Sequence, residues 1–222
     1  MRNAGPRIVS VQVGRIAPLG PNGVPSGFIK SAVQGPIRVG PLGLQGDEQA
    51  DLSVHGGPDK AVYIYPSEHY PRWSQDAPRH ASVLVPGAFG ENITTVGIDE
   101  DAVSVGEIFR IGTAELQVTQ PRMPCFKLAL RFDDPTLGRI MVQSGRTGWY
   151  MRVRTPGTIQ AGDAMESVRR PNPLWTIARF NRFIPTRGQS VREFAELGAL
   201  EGIPAVWKQA AEEALGGATG AP

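Results

Sequence analysis

The short apolar run Arg7–Val13 reads as a predicted strand. Similar short apolar runs at Ala61–Tyr65, Glu107–Ile111, Glu115–Thr119 and Trp149–Arg154 are also predicted strands. Gly112-Thr113 reads as the turn of a hairpin. With 27 glycines and 20 prolines punctuating the runs, the first 170 residues predict a closed or nearly closed β-barrel. Two helices interrupt it. One covers about Ser67–Ser74, and one runs from Asp134-Pro135, a cap followed by a first-turn proline, to Gly145.

After Arg169-Arg170-Pro171 the period changes from two to that of helices. Leu174, Ile177, Ala178, Phe180 and Ile184 fall on one face of a helix started by Asn172-Pro173 and stopped by Pro185. Ser190 and Glu193 have capping-box spacing before Val191, Phe194 and Leu197. A third helix begins near Pro204, with Val206, Trp207, Ala210 and Ala214 on one side before Gly216-Gly217. The expected architecture is therefore mainly β with helices, a barrel at 1–168 and a three-helix unit at 169–222.

Charge narrows the function. The net charge is +2, which argues against stable nucleic-acid binding. Residues 122–154 nevertheless carry seven basic and two acidic side chains, while 190–222 carry two basic and five acidic ones. A basic middle points to an anionic ligand. No run approaches a membrane span and the N-terminus has no signal-peptide core, so a cytoplasmic location is expected. One cysteine cannot form an internal disulfide, and His55, His69 and His80 show no zinc spacing.

That cysteine lies in Gln120-Pro-Arg-Met-Pro-Cys-Phe-Lys127. Pro121 and Pro124 stiffen the approach to Cys125. The chain then either stays extended, with Cys125 and Lys127 on one face, or starts a helix with the thiol at its positive end. Both arrangements, with Arg122 and Lys127 near, favour a thiolate. In Gly87-Ala-Phe-Gly-Glu-Asn-Ile93, two glycines allow close backbone approach and Asn92 can donate and accept. His55-Gly-Gly-Pro-Asp-Lys60 puts His55 and Lys60 at the rim of the following strand, where Lys60 could hold a phosphate. No phosphate-cradling or dinucleotide motif occurs.

Taken in order, Gly43–Asp47, His55–Lys60, Phe89-Gly-Glu-Asn-Ile93, Val105-Gly-Glu107 and Gln120-Pro-Arg122 through Cys125-Phe-Lys-Leu128 resemble the MOSC domain family. That family is named for the molybdenum cofactor sulfurase C-terminal region, and the likeness is to its YiiM-like branch, over nearly the whole chain. The resemblance implies a β-barrel holding the molybdenum cofactor (molybdopterin) in a basic cleft. It implies Cys125 as metal ligand, Asn92 as a cofactor contact, and Lys30 and Ser31 as a cofactor-contacting pair. Charge and position add His55, Lys60, Arg122 and Lys127. The implied activity is reduction of N-hydroxylated compounds, including hydroxylaminopurine-type base analogues. Since the chain shows no motif for a flavin, haem or iron–sulfur cluster of its own, an external donor, a flavoprotein reductase or ferredoxin, is expected. A homodimer is compatible with this reading. Two other functions remain open: a persulfide sulfur carrier using Cys125, and a non-catalytic cofactor-binding protein.

Overall fold

A computed structural model describes residues 5–52, 55–184 and 190–218. The described strands are β1 (Arg7–Val13), β2 (Ala17–Leu19), β3 (Val24–Ser26), β4 (Ser31–Ala32), β5 (Ile37–Gly40), β6 (Gly43–Leu44), β7 (Val62–Pro66), β8 (Ile93–Val96), β9 (Ile108–Ile111), β10 (Ala114–Pro121), β11 (Trp149–Thr155), β12 (Gly157–Ile159) and β13 (Met165–Arg169). Eight of them form one sheet in the order β13-β9-β10-β11-β7-β8-β1-β4. Strands β5, β6 and β12 make a three-stranded sheet, and β2 pairs with β3. The main-sheet pairs are antiparallel except β7 with β8. A parallel pair needs a crossover connection, here supplied by helix α1 (His69–Asp76) and a 3₁₀ turn at Pro78–Val83.

Of the closed or nearly closed barrel expected, no closed barrel forms among the described residues: the fold is sheet-dominated, and its two flanks meet at an isolated bridge between Arg7 and Ala164. The free edge of β1 is divided between two partners. Its end at Gln12-Val13 pairs with β4. At its start, Ile8 N–H donates to Asp163 O at 2.9 Å, and Met165 N–H donates to Pro6 O at 2.8 Å. No continuous ladder forms along an edge shared in this way. The Gly112-Thr113 turn is present between β9 and β10. Gly112 has φ +56°, and an added Cβ would collide with the Thr158 carbonyl.

Strand β7 explains how one sheet serves two cores. All five of its residues are buried. Because alternate residues face opposite sides, Val62 and Ile64 join one apolar cluster while Tyr63 and Tyr65 join another. The second cluster lies under α1, α2 (Phe126–Phe132) and α3 (Thr136–Ser144) and contains Trp73, Phe89, Leu128 and Met141. Removing a ring such as Phe89, which is fully buried, would cost about 3–5 kcal/mol.

The three helices after β13 are α4 (Ile177–Phe183), α5 (Val191–Gly198) and α6 (Ala205–Ala218). Ile177, Phe180, Leu197 and Ala211 belong to the same cluster as Ile8, Ile64 and Trp149 on the sheet. The tail thus completes the main core. The start of α4 differs from expectation. Thr176 is its cap, accepting from Arg179 N–H at 3.1 Å. Leu174 precedes the helix and is exposed, because the Asn172 side chain instead donates to Val105 O and Glu201 O. Pro185, the expected stop, lies outside the described residues. Ser190 caps α5 as expected, accepting from Glu193 N–H at 3.2 Å. Helix α6 runs through Gly216-Gly217.

Candidate functional site

Strand β10 delivers the chain to the site. Past Pro121, the Arg122 N–H donates to Gly148 O at 3.3 Å, and the guanidinium turns inward. The alternatives left open after Pro124 resolve in favour of a helix: Cys125 is the extended N-cap of α2. Lys127 consequently does not share a strand face with Cys125. Its buried side chain runs to Pro25 O, 3.2 Å away.

A narrow cleft of about 90 Å³ gathers Lys30, His55, Lys60, Asn92, Arg122, Cys125 and Lys127 from separate segments. Seven of the eight expected site residues therefore meet. Ser31 does not join them: it is exposed on β4, whose pairing with β1 at Ser31 and Ala32 sets it on the surface. Gly27 permits the walls to come this close, since an added Cβ would collide with the Glu48 carbonyl.

Lys30 and Asn92 meet a residue that the motif reading treated only as part of a turn. Lys30 Nζ donates to Asp47 Oδ1, with both side chains nearly inaccessible. Asn92 Nδ2 donates to Asp47 Oδ2 at 2.9 Å, and Gly14 N–H donates to Oδ1 at 2.7 Å. Asn92 Oδ1 also accepts from Tyr63 N–H at 3.1 Å. Burial pushes the Lys30 ammonium down, against the pull of Asp47. Both residues thus already have protein partners. Asp47, along with Tyr63 and Tyr150 in the cleft wall, was missed as a site residue. The signal available for Asp47 was its place at the end of Gly43-Leu-Gln-Gly-Asp47, where carboxylates stabilise turns.

Arg122 is the contrasting case. Only 4% of it is exposed, and no carboxylate pairs with it among the described residues. Its guanidinium lies 5.6 Å from the Tyr63 ring centre and 6.0 Å from that of Phe28, with Nη1 on Met141 Sδ at 3.3 Å. A buried cation of this kind favours an anion beside it. The neighbouring thiol answers that field. Burial alone would raise Cys125, but His55, the Arg122 charge and the Lys127 backbone N–H outweigh it and bring the thiol down to about 7. His55 Nδ1 is buried with no hydrogen-bond partner among the described residues.

Among the described residues, no three His, Cys, Asp or Glu side chains gather to hold a bare metal ion. A metal bound at Cys125 must therefore arrive with other ligands of its own. The residues present fit such a group: one thiolate for a soft metal, and cations for an attached anion. At about 90 Å³ the cleft by itself is smaller than the roughly 300–1,000 Å³ of small-molecule sites.

The family model for the MOSC domain matches residues 51–166. Protein YiiM of Escherichia coli (strain K12) is 44% identical over 162 residues, covering 73% of this chain and 72% of its own. A protein named "Reductase" from Gibberella moniliformis is 36% identical over 199 residues, 87% of this chain but 35% of its own. The crystal structure of YiiM from Geobacillus stearothermophilus superposes with a TM-score of 0.80 at 32% identity, covering 95% of this chain and 99% of the other. Among the described residues, no helix is long and apolar enough to cross a membrane.

Proposed function

Because this chain belongs to the MOSC domain family, in its YiiM-like branch, we propose that it is a molybdenum-cofactor-dependent reductase of N-hydroxylated compounds. The observation that carries the reading is the pairing of buried Arg122, without a carboxylate partner among the described residues, with a Cys125 thiol lowered to about 7. The family supports a molybdenum-cofactor-associated role, and the Gibberella relative's name supports reduction.

The chain's own groups divide the work. Cys125 holds the metal as a thiolate. Arg122, buried, and Lys60 and Lys127 beside it in the cleft would balance the anionic parts of the cofactor, and a buried cation acts more strongly there than in water. His55 lines the cleft beside Cys125, with its Nδ1 without a hydrogen-bond partner among the described residues. Lys30 and Asn92, tied to Asp47, shape the wall. When bound, the cofactor supplies a metal that can take up oxygen and pass two electrons. In the overall reaction the N–O bond breaks, nitrogen is left as the amine or amidine, and oxygen leaves as water with two protons. The two electrons come from an external flavoprotein reductase or ferredoxin.

The test is metal and pterin analysis of protein made in a host competent for cofactor synthesis, beside Cys125→Ser. Serine is similar in size but a poorer ligand, so the variant should fold and lose its molybdenum and its reductant-dependent turnover. A variant that keeps both rules out Cys125 as ligand. Loaded wild-type protein that turns over no hydroxylamine, amidoxime or N-oxide with any reductant refutes the reading. A sulfur adduct on Cys125 without metal would instead favour the sulfur carrier.

A further inference from the structure

At Cys125 the narrow cleft meets a second cavity of about 820 Å³. The two share His55, Lys60, Cys125 and Tyr150. The walls of the larger one come from distant parts of the chain. Met123 and Phe126 line it beside the thiol, and Phe183, Phe194, Val206 and Trp207 line it from helices α4, α5 and α6. Three of these side chains are more exposed than apolar packing alone requires: Phe126 at 61%, Val206 at 65% and Met123 at 41%.

The far wall is held in place. Trp207 Nε1 donates to Gln120 Oε1 at 2.9 Å, and its ring packs edge-to-face on Phe180 with centres 4.9 Å apart. Helix α6 is thereby fastened to strand β10, two residues before Arg122. The volume suits a small molecule. The walls are mostly apolar and include the rings of Phe126, Tyr150, Phe183, Phe194 and Trp207, with Glu213 contributing a carboxylate. Flat rings stack on such surfaces, whereas small aliphatic groups gain little.

We propose that Phe126 and the α6 face carrying Val206 form the specificity wall of a substrate subsite, in which a flat aromatic ring lies in the groove and its N–O group points at Cys125. This inference rests on the reading of Cys125 as the ligand of a reducing metal centre. The tail helices then determine which N-hydroxylated compounds are accepted, besides completing the core.

The experiment uses two probes with the same reacting group, benzamidoxime and acetamidoxime, which differ in their aromatic ring. Binding to the full chain is followed by calorimetry, with and without cofactor, for wild type, Phe126→Ala and Val206→Trp. Both positions are more than half exposed, so the variants should keep the wild-type unfolding midpoint. Benzamidoxime affinity should fall about fivefold to tenfold in each variant, with acetamidoxime unchanged. In loaded protein the same variants should raise KM for benzamidoxime and leave kcat/KM for acetamidoxime alone. Equal effects on both probes, or none, overturn the proposal. So does loss of benzamidoxime binding on cofactor loading, which would mean that the pterin fills the groove. A dimer that dissociates in Val206→Trp with binding unchanged would assign the groove to a second copy. Wall-dependent binding without any turnover supports the groove and counts against the reductase reading alone. Turnover indifferent to the wall does the reverse.

Discussion

Glu91 and Arg122 are both buried charges near the cleft, and they are buried for different ends. Glu91 has no accessible surface and accepts from Gly87 N–H at 2.7 Å, Phe89 N–H at 3.1 Å, the Thr94 hydroxyl at 3.0 Å and the Tyr70 hydroxyl. Burial pushes its carboxyl up, and these donors pull the other way. Every partner is supplied by the fold, and the result is a rigid loop at 87–91. Arg122 has aromatic rings, a thioether and a thiol around it but no carboxylate among the described residues. A buried charge whose partners are all protein maintains architecture. A buried charge with no carboxylate partner in the fold is a candidate for one supplied by a ligand.

Glu91→Ala is expected to have the largest effect on the fold. It leaves several buried donors without acceptors, so chemical denaturation should show a loss of about 3–5 kcal/mol with or without cofactor. A variant that stays stable but loses only cofactor would place Glu91 on the ligand side and break the contrast. Arg122→Met should do the opposite. The cofactor-free protein should keep or gain stability, because a buried charge is replaced by an apolar chain of similar length. Cofactor affinity, read by equilibrium dialysis, should fall roughly 10- to 100-fold. Unfolding of the cofactor-free variant would show Arg122 to be structural. The smallest effect sharpens the contrast at the thiol. Alkylation of Cys125 by iodoacetamide in cofactor-free protein should rise with pH and reach half its plateau near 7. The sign follows from the thiolate being the reactive form, which dominates above that value. In Arg122→Met the midpoint should move to higher pH, since one of the charges holding the thiol down is gone. An unmoved midpoint would leave His55 and the Lys127 backbone as the groups responsible.

Local pattern was enough wherever neighbours in sequence decide the outcome. The strand at Arg7–Val13, the Gly112-Thr113 turn and the Ser190 cap are each settled within a few residues, and each appears in the structure as read. The lowering of the Cys125 thiol was legible only in part: Arg122 is its near neighbour, but Lys127 acts through its backbone N–H rather than its charge, and His55 comes from a distant segment. Long-range encounters were not legible. Asp47 pairs with Lys30 across 17 residues and ties Asn92 across 45, so two residues read as cofactor contacts also have a protein partner that no local pattern shows. Ser31 adjoins Lys30 in sequence yet faces away, because β4 pairs at the sheet edge. The tail was legible as three amphipathic helices. That Trp207 fastens the third to Gln120, 87 residues away, and so builds a groove beside Cys125, was decided only by tertiary packing. Periodicity records which face of a helix is apolar, but which distant strand that face meets depends on how the whole chain excludes water.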